Sequence, residues 1–450
     1  MITDQKLETQ EKSSVKLTIT VGKDEAKKEY DSLLQKYAKT AQIKGFRRGK
    51  APASILEQKF GDSIRSEASI NLIENSLKEA FESVEKKPLQ IEPPALDGEA
   101  DLELGKDFTF SVTYDYFPEI KLGEYKGIEI EEPSASITAE DINRELEMIQ
   151  DQNSVVMDKT SGTVENGNIV TINYAEVDEN DEEKPGTSRE DFVFTIGSGY
   201  NLYKLDEDII GMKNDEEKVI DKEYPEDFED SDLAGKKVRV KVKVTQIKEK
   251  QLPELDDELA QDVSEEYKTL DDLKKDIRKR LRESAKQHIR RQNIDTLIEK
   301  IRENSQMEIP ESMIRAELGS SWSNFVSRSG TTEDQLIQIL QAQGRSPEDL
   351  LNEWRPSVET SIASRLVLNR IVEEEKIEVA DEELDKEIAE SAERSNMTPE
   401  QAKENFEKNN MLDYIRRQLQ DNKLYDFLLE NAVVKKGKKI KFLDLVQNNQ

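Results

Sequence analysis

The spacing of apolar residues changes character along this chain, and that change narrows what it can fold into more than any other feature. At Val15, Leu17, Ile19 and Val21 apolar and polar residues alternate, the mark of a strand with one buried face, closed by Gly22. From Asp24 the period lengthens to that of a helix, with Ala26, Tyr30, Leu33, Leu34, Tyr37 and Ala38 on one side. A second helix is expected from Asp62 to Val84, with Ile64, Ala68, Leu72, Leu77 and Phe81 inward, after Pro52 opens a helical turn. Alternation returns at Phe108, Phe110, Val112, Tyr114 and Tyr116, so residues 1–117 read as one α+β module.

Residues 118–154 read as a connecting arm. They carry Gly123, Gly127 and Pro133, then Thr138-Ala139-Glu140-Asp141, a helix-start pattern ahead of Ile142, Leu146 and Ile149. Strand texture fills 155–248, with Val170, Ile172 and Tyr174, then Phe192, Phe194 and Ile196, then Val238, Val240, Val242 and Val244 at alternate positions. From 249 to 450 the pattern is helical. Ser346-Pro347-Glu348-Asp349 and Thr398-Pro399-Glu400-Gln401 each place a hydroxyl cap, a proline at the first helical position and an acceptor three residues after the cap. Leu273, Ile277, Leu281, Ile294, Leu297, Ile298 and Ile301 form one stripe among charged residues, as in a long helix exposed on most sides. The basic tail, Lys435-Lys436-Gly437-Lys438-Lys439, is expected to be loose. The predicted fold class is multidomain α+β: an N-terminal α+β domain, a small β-rich domain and an elongated all-helical C-terminal domain.

Composition supports that division. At 450 residues the chain exceeds the ~250–300 at which a single core stops growing. With 36% charged against 35% hydrophobic residues and a mean hydropathy of −0.80, it is lean in core material and expected to be elongated. A net charge of −31 keeps most of the surface away from nucleic acid and anionic membranes, so any nucleic-acid contact needs a local basic element. Without cysteine there are no disulfides or thiolate chemistry. The polar N-terminal residues lack a secretory signal and no apolar run is long enough to span a bilayer, which leads to the expectation of a cytoplasmic protein with no membrane partner.

Against the acidic background, Lys44-Gly45-Phe46-Arg47-Arg48-Gly49-Lys50-Ala51-Pro52 stands out. Forked guanidinium donors suit phosphate, and the ring of Phe46 suits an apolar crevice or a base; a solvated turn between helices is the bland alternative. The acidic turn Asp178 to Glu183 lacks the glycine and distal glutamate of a calcium loop and reads as a hairpin tip. His288 is the only histidine and has no triad partner, so neither a cofactor nor a metal is expected. Met313, Ile314, Leu318, Trp322, Phe325 and Val326 read as bundle core, with a share in substrate contact left open.

The loop from Gly45 to Pro52 resembles the ribosome-binding signature of the trigger factor family, and the order of regions around it is similar along essentially the whole chain. Leu252-Pro253-Glu254-Leu255-Asp256-Asp257-Glu258 resembles that family's passage into its C-terminal domain. The resemblance implies an N-terminal ribosome-binding domain, an FKBP-type peptidyl-prolyl isomerase domain, and a helical domain whose body and two arms shelter nascent chains. It implies as partners the ribosome, met at a tunnel-exit protein and ribosomal RNA by Gly45, Phe46, Arg47, Arg48 and Lys50, together with nascent and unfolded polypeptides. It also implies a homodimer away from the ribosome.

The middle segment resembles the isomerase module through Gly167 to Tyr174, Ile196-Gly197-Ser198-Gly199, Tyr224 to Phe228 and Leu233 to Lys236. In that module an apolar aromatic pocket strips water from the twisted amide, against a barrier of ~18–20 kcal/mol. Tyr174, Phe192, Leu205 and Phe228, with Phe194, are the candidate catalytic lining. Where the family usually has Ile-Pro-Gly-Phe, this chain has Leu202-Tyr203-Lys204-Leu205, so leucine replaces an aromatic floor and an ammonium is expected beside it. Lys184 stands near an expected aromatic, and Val240 where the last strand usually carries Phe. Two readings of function stay open: a chaperone holding unfolded segments through many weak apolar contacts, with weak isomerase activity, or primarily a prolyl isomerase. An exported envelope chaperone is opposed by the N-terminus and the basic loop, and a coiled-coil scaffold by the interrupting caps and prolines.

Overall fold

The computed structural model describes residues 1–43, 46, 52–159, 161–226, 228, 230 and 232–447. Strands β1 (Ile2–Gln10), β2 (Ser14–Val21), β3 (Ala95–Leu96) and β4 (Phe108–Asp115) form an antiparallel sheet in the order β1-β2-β4-β3. Its centre is the β2–β4 pair, where Leu17 faces Val112 and Ile19 faces Phe110. One face packs beneath α1 (Lys23–Thr40) and α2 (Ala53–Ser83), burying Tyr30, Leu33, Ile64 and Leu72. The other face carries hydroxyl pairs, Thr18 with Ser111 at 2.8 Å and Thr20 with Thr109 at 3.0 Å. Gly22 gives α1 no side-chain cap, so Asp107 accepts from the Lys23 backbone N–H at 2.9 Å and closes the sheet onto the helix.

Two differences from expectation have simple causes. Strand β1 is almost wholly exposed and polar, so no alternation announces it; pairing with β2 makes it a strand. Helix α2 begins at Ala53, well before Asp62, and contains Gly61, which is buried where α2 approaches the Tyr30 hydroxyl. Glycine weakens a helix by about 1 kcal/mol, and the α1–α2 packing offsets that.

After β4 the chain runs along helical partners: Ile120, Leu122, Tyr125 and Ile128 join a cluster with Leu297, Ile301, Val367, Ile371 and Leu424. β5 (Glu129–Ser136) leads to α3 (Ala139–Gln152), whose Thr138–Asp141 capping box forms as the spacing predicts. β6 (Val155–Asp158), β7 (Ile169–Val177), β8 (Arg189–Thr195), the short α4 (Asp206–Ile209), β9 (Glu217–Glu223) and β10 (Lys237–Gln251) build the middle domain. Its sheet runs β6-β10-β7-β8, with β9 also on β10, over a core that includes Ile172, Leu205 and Val240.

Helices α5 (Asp257–Val263), α6 (Leu270–Asn304), α7 (Glu311–Ser329), α8 (Glu333–Ala342), α9 (Pro347–Glu375), α10 (Asp381–Arg394), α11 (Pro399–Lys408) and α12 (Leu412–Glu430) follow. The predicted caps of α9 and α11 are both capping boxes. Ile314 and Leu318 are core, Trp322 and Val326 pack on Leu336, Leu340 and Leu350, and Phe325 stays partly exposed. The basic tail is not loose: it forms β11 (Val433–Lys441), paired with β5, and then α13 (Phe442–Gln447). The backbone of β5 supplies the hydrogen-bond partners, and Lys435 adds an ion pair to Glu129 at 2.5 Å.

The chain divides into two compact units, residues 1–132 with 291–435, and 133–290 with 436–450. In the first, the sheet domain meets α7 through polar groups. Asp115 accepts from the Ser312 backbone N–H at 2.9 Å, Arg315 bonds both oxygens of Glu92, and Lys12 reaches Glu311 at 3.1 Å. The Arg315 guanidinium holds Glu92 below the usual carboxylate range, and Arg355, then Lys12, do the same for Glu311. Among the described residues no helix is long and apolar enough to cross a membrane.

A Cβ at Gly123 would overlap the Asn304 backbone carbonyl, whereas one at Gly319, inside α7, would meet nothing. Gly123→Ala is therefore expected to lower stability by more than ~2 kcal/mol and Gly319→Ala to raise it by up to about 1 kcal/mol. Denaturant midpoints of the two variants check this opposite pair of signs.

Candidate functional site

Two places carry the residues that the sequence singles out. The first is the connection between α1 and α2. Helix α1 extends about 26 Å from the sheet, with Tyr37 against Phe60 at 6.0 Å and buried Ile43 and Leu56 near its far end. Beyond them Phe46 is 41% exposed, its backbone N–H donating to the Ile43 carbonyl at 3.0 Å. The apolar ring thus faces solvent instead of joining the domain core. Gly45, Arg47, Arg48 and Lys50 lie outside the described residues.

The second place is the aromatic cluster of the middle domain. A register shift between Ile172 and Tyr174 in β7 lets β8 bulge, with Asp191 in the left-handed region at φ 52° and its N–H on the Asn173 side chain. The bulge brings Phe192 edge-on to Tyr174 at 5.7 Å, and Phe192 stacks on Phe194 at 5.6 Å. Phe228 packs against Tyr224 at 4.7 Å, and Leu205 is fully buried at the base. All four predicted lining residues, Tyr174, Phe192, Leu205 and Phe228, therefore belong to one apolar cluster.

Tyr203 is the member that the sequence did not single out as lining. Its ring meets Tyr174 edge-on at 5.5 Å and is only 4% exposed, so it occupies space beside Leu205 from within the chain. Its hydroxyl donates to Glu176 Oε1 at 3.2 Å, while Lys184 holds Glu176 Oε2 at 3.1 Å. The Tyr224 hydroxyl donates to the Tyr203 carbonyl at 2.9 Å. Burial, then the Glu176 charge, pushes the Tyr203 phenol well above its usual range, and burial raises Tyr224 to about 12. Both stay neutral hydrogen-bond donors. The signal that could have found Tyr203 is its position in the Leu202–Leu205 segment, where an aromatic reappears two residues before its expected place.

Lys204 does not stand beside the floor. Its backbone is left-handed at φ 48°, which turns the side chain outward, and its ammonium donates to the Gly199 carbonyl at 3.0 Å. Lys184 likewise serves Glu176 and not the rings. Next to this pair is an open recess of about 630 Å³ lined by Val177, Asp178, Lys184, Asp221, Lys222 and Arg239. Its charged walls suit polar groups more than a prolyl ring.

Comparison with known proteins matches these parts one by one. The Bacterial trigger factor protein (TF) family model matches residues 3–149, its C-terminus model residues 269–430, and the FKBP-type peptidyl-prolyl cis-trans isomerase model residues 160–249. The Trigger factor of Treponema denticola is 40% identical over 441 residues, covering 97% of this chain and 98% of the relative. The chain belongs to the trigger factor family. Trigger factors of Borrelia turicatae, 34% identical with 96% of each chain covered, and of Treponema pallidum, 32% identical with 97% and 96% covered, are further relatives. A solved trigger factor structure shares the fold, with a TM-score of 0.52 at 24% identity over 95% of this chain and 99% of that one. Trigger factor membership thus spans both places: the α1–α2 connection falls in the N-terminal match and the Tyr203 cluster in the FKBP-type match.

Removing floor atoms should be costly and removing one hydroxyl mild. Leu205→Ala is expected to lower the unfolding free energy of β7 and β10 by ~2–5 kcal/mol, and Tyr203→Phe by about 1 kcal/mol. Amide exchange in those strands reads both, since Trp322 and Trp354 lie in the helices and do not report on this domain.

Proposed function

We propose that this chain is a ribosome-associated chaperone of the cytoplasm. It docks near the tunnel exit through the α1–α2 loop, on a tunnel-exit protein and ribosomal RNA, and holds nascent and unfolded polypeptides until they fold. The observation that carries this reading is the exposed Phe46 ring at the far end of a helical hairpin, in a sequence run with Arg47, Arg48 and Lys50, on a chain of net charge −31. A cationic, aromatic-tipped hook meets a phosphate-rich surface while the acidic remainder is repelled from it. Holding is assigned to scattered exposed side chains of the helices and their connections, among them Phe325, Ile339, Met397, Met411 and Tyr414. Each contributes little, so clients of varied sequence bind and leave. The solved relative is described by its promiscuous substrate recognition in folding and assembly, which supports the same reading. Away from the ribosome the protein forms a homodimer. Co-sedimentation with ribosomes over a salt series tests the docking: Phe46→Ala plus Arg47→Ala is expected to stay in the supernatant, and added salt to release the intact chain. Undiminished sedimentation of the double variant refutes it.

Prolyl isomerase activity is the second role, and the cluster supports a weak one. Tyr203 fills space beside Leu205 that a prolyl ring would need, so a substrate must displace a buried side chain bonded to Glu176. Turnover of a proline-containing peptide is expected to be about 100-fold below that of an ordinary FKBP-type domain, equivalent to about 2.7 kcal/mol. Equal turnover in that assay removes this reading.

A further inference from the structure

Helix α6 carries a charge pattern that neither the aromatic cluster nor the Phe46 loop uses. From Lys274 to Arg291 there are nine basic residues and two acidic ones, in a chain whose overall balance is −31. At about 100° per residue, Lys275, Arg278, Lys279, Arg282 and Lys286 share one side of the helix, opposite Leu273, Ile277 and Leu281. The structure agrees: the three apolar residues are buried in a cluster with Ile142, Leu146 and Ala260, and the five cations are exposed. The stripe offers about three cations for every two helical turns over about 16 Å of axis. Lys275 is paired with Asp271 at 2.7 Å, whereas Arg278, Lys279, Arg282 and Lys286 have no carboxylate partner among the described residues. The two acids of this stretch border the stripe: Asp276 is bonded by Arg280 at 3.1 Å, and Glu283 stands one turn from Lys279 and Lys286 with no ion pair to either among the described residues.

The character of the surrounding surface selects the partner. Protein interfaces anchor on aromatic or large apolar side chains, and α6 itself exposes no large apolar side chain. Single-stranded nucleic acid is held on aromatic platforms, and α6 contains no Phe, Tyr or Trp. A duplex phosphate backbone needs neither, because spaced cations neutralise phosphates and release their counterions. We propose that the Lys275–Lys286 stripe of α6 docks on the phosphate backbone of duplex RNA, positioning the protein without reading sequence. The choice of RNA over DNA rests on the ribosomal reading above; the cationic chemistry does not.

The test uses the full-length protein without ribosomes, so it stands apart from the docking assay. Fluorescence anisotropy follows a labelled RNA duplex, the DNA duplex of the same sequence, single-stranded RNA and poly-glutamate, each over a KCl series. To silence the loop, all measurements carry Phe46→Ala plus Arg47→Ala. RNA-duplex binding is expected with a slope of about −4 to −5 in log affinity against log salt, near one unit per phosphate contacted. Neutralising three positions, as Arg278→Gln, Arg282→Gln and Lys286→Gln on the solvent face, is expected to weaken binding about tenfold or more and to reduce that slope by about three. Unchanged affinity and slope in the neutral variant overturn the proposal, as does an absence of RNA-duplex binding at low salt. Stripe-dependent preference for DNA, for single-stranded RNA or for poly-glutamate also overturns it, the last pointing to an acidic protein partner. Circular dichroism of the neutral variant, matched to the parent, separates lost contacts from lost structure.

Discussion

Apolar side chains are scarce in this chain, and their scarcity governs how its parts are put together. With charged and hydrophobic residues in near-equal shares, each helix can bury only one stripe, and no cluster grows large enough to hold the whole molecule. The apolar residues gather instead into separate cores: one between the N-terminal sheet and its two helices, one in the middle domain, and smaller ones among the long helices. No residue of the first 117 belongs to the helical clusters among those described. The sheet domain meets α7 through Glu92–Arg315, Lys12–Glu311 and Asp115 at the start of that helix. The two ion pairs are partly exposed and contribute about 1 kcal/mol or less each. The integrity of the sheet domain therefore rests on Leu17, Ile19, Val112 and the residues above them, not on the junction.

The same economy shapes the functional surfaces. A chaperone that must release its clients cannot present a deep apolar groove, and large exposed side chains such as Tyr414 and Phe325 are scattered over polar helices. In the middle domain the aromatic rings are kept for internal packing. Tyr203 closes on Tyr174, and the Lys184–Glu176 pair fixes its hydroxyl, so the cluster is satisfied without a ligand. Positive charge is likewise concentrated, in the run from Lys44, along one side of α6 and in the lysines of β11, in a chain that is acidic as a whole.

Much of the architecture was legible because its signals are local. The alternation at Val15–Val21 and Phe108–Tyr116 predicts the two strands that pair at the centre of the N-terminal sheet. The hydroxyl-proline-carboxylate pattern at Ser346 and the matching one at Thr398 predict the starts of α9 and α11 to the residue. Strands β1 and β11 were illegible for one shared reason: both are polar and exposed on nearly every residue, and they exist only because β2 and β5 offer hydrogen-bond partners. The family resemblance pointed to Tyr174, Phe192, Leu205 and Phe228, but nothing local said that Tyr203 would turn inward and Lys204 outward.

By itself the sequence determined the periodicities, the caps, the excess of negative charge and the positions of the basic runs, because each depends on residues within a few turns of one another. Only the tertiary structure decided where apolar and charged groups end up facing. It made a strand of the basic tail, wrapped residues 120–128 onto the helices through Gly123, seated Tyr203 among the rings, and left Arg278, Lys279, Arg282 and Lys286 of α6 without carboxylates among the described residues. Those outcomes depend on partners far apart in the chain, whose meeting is set by packing that no local pattern encodes.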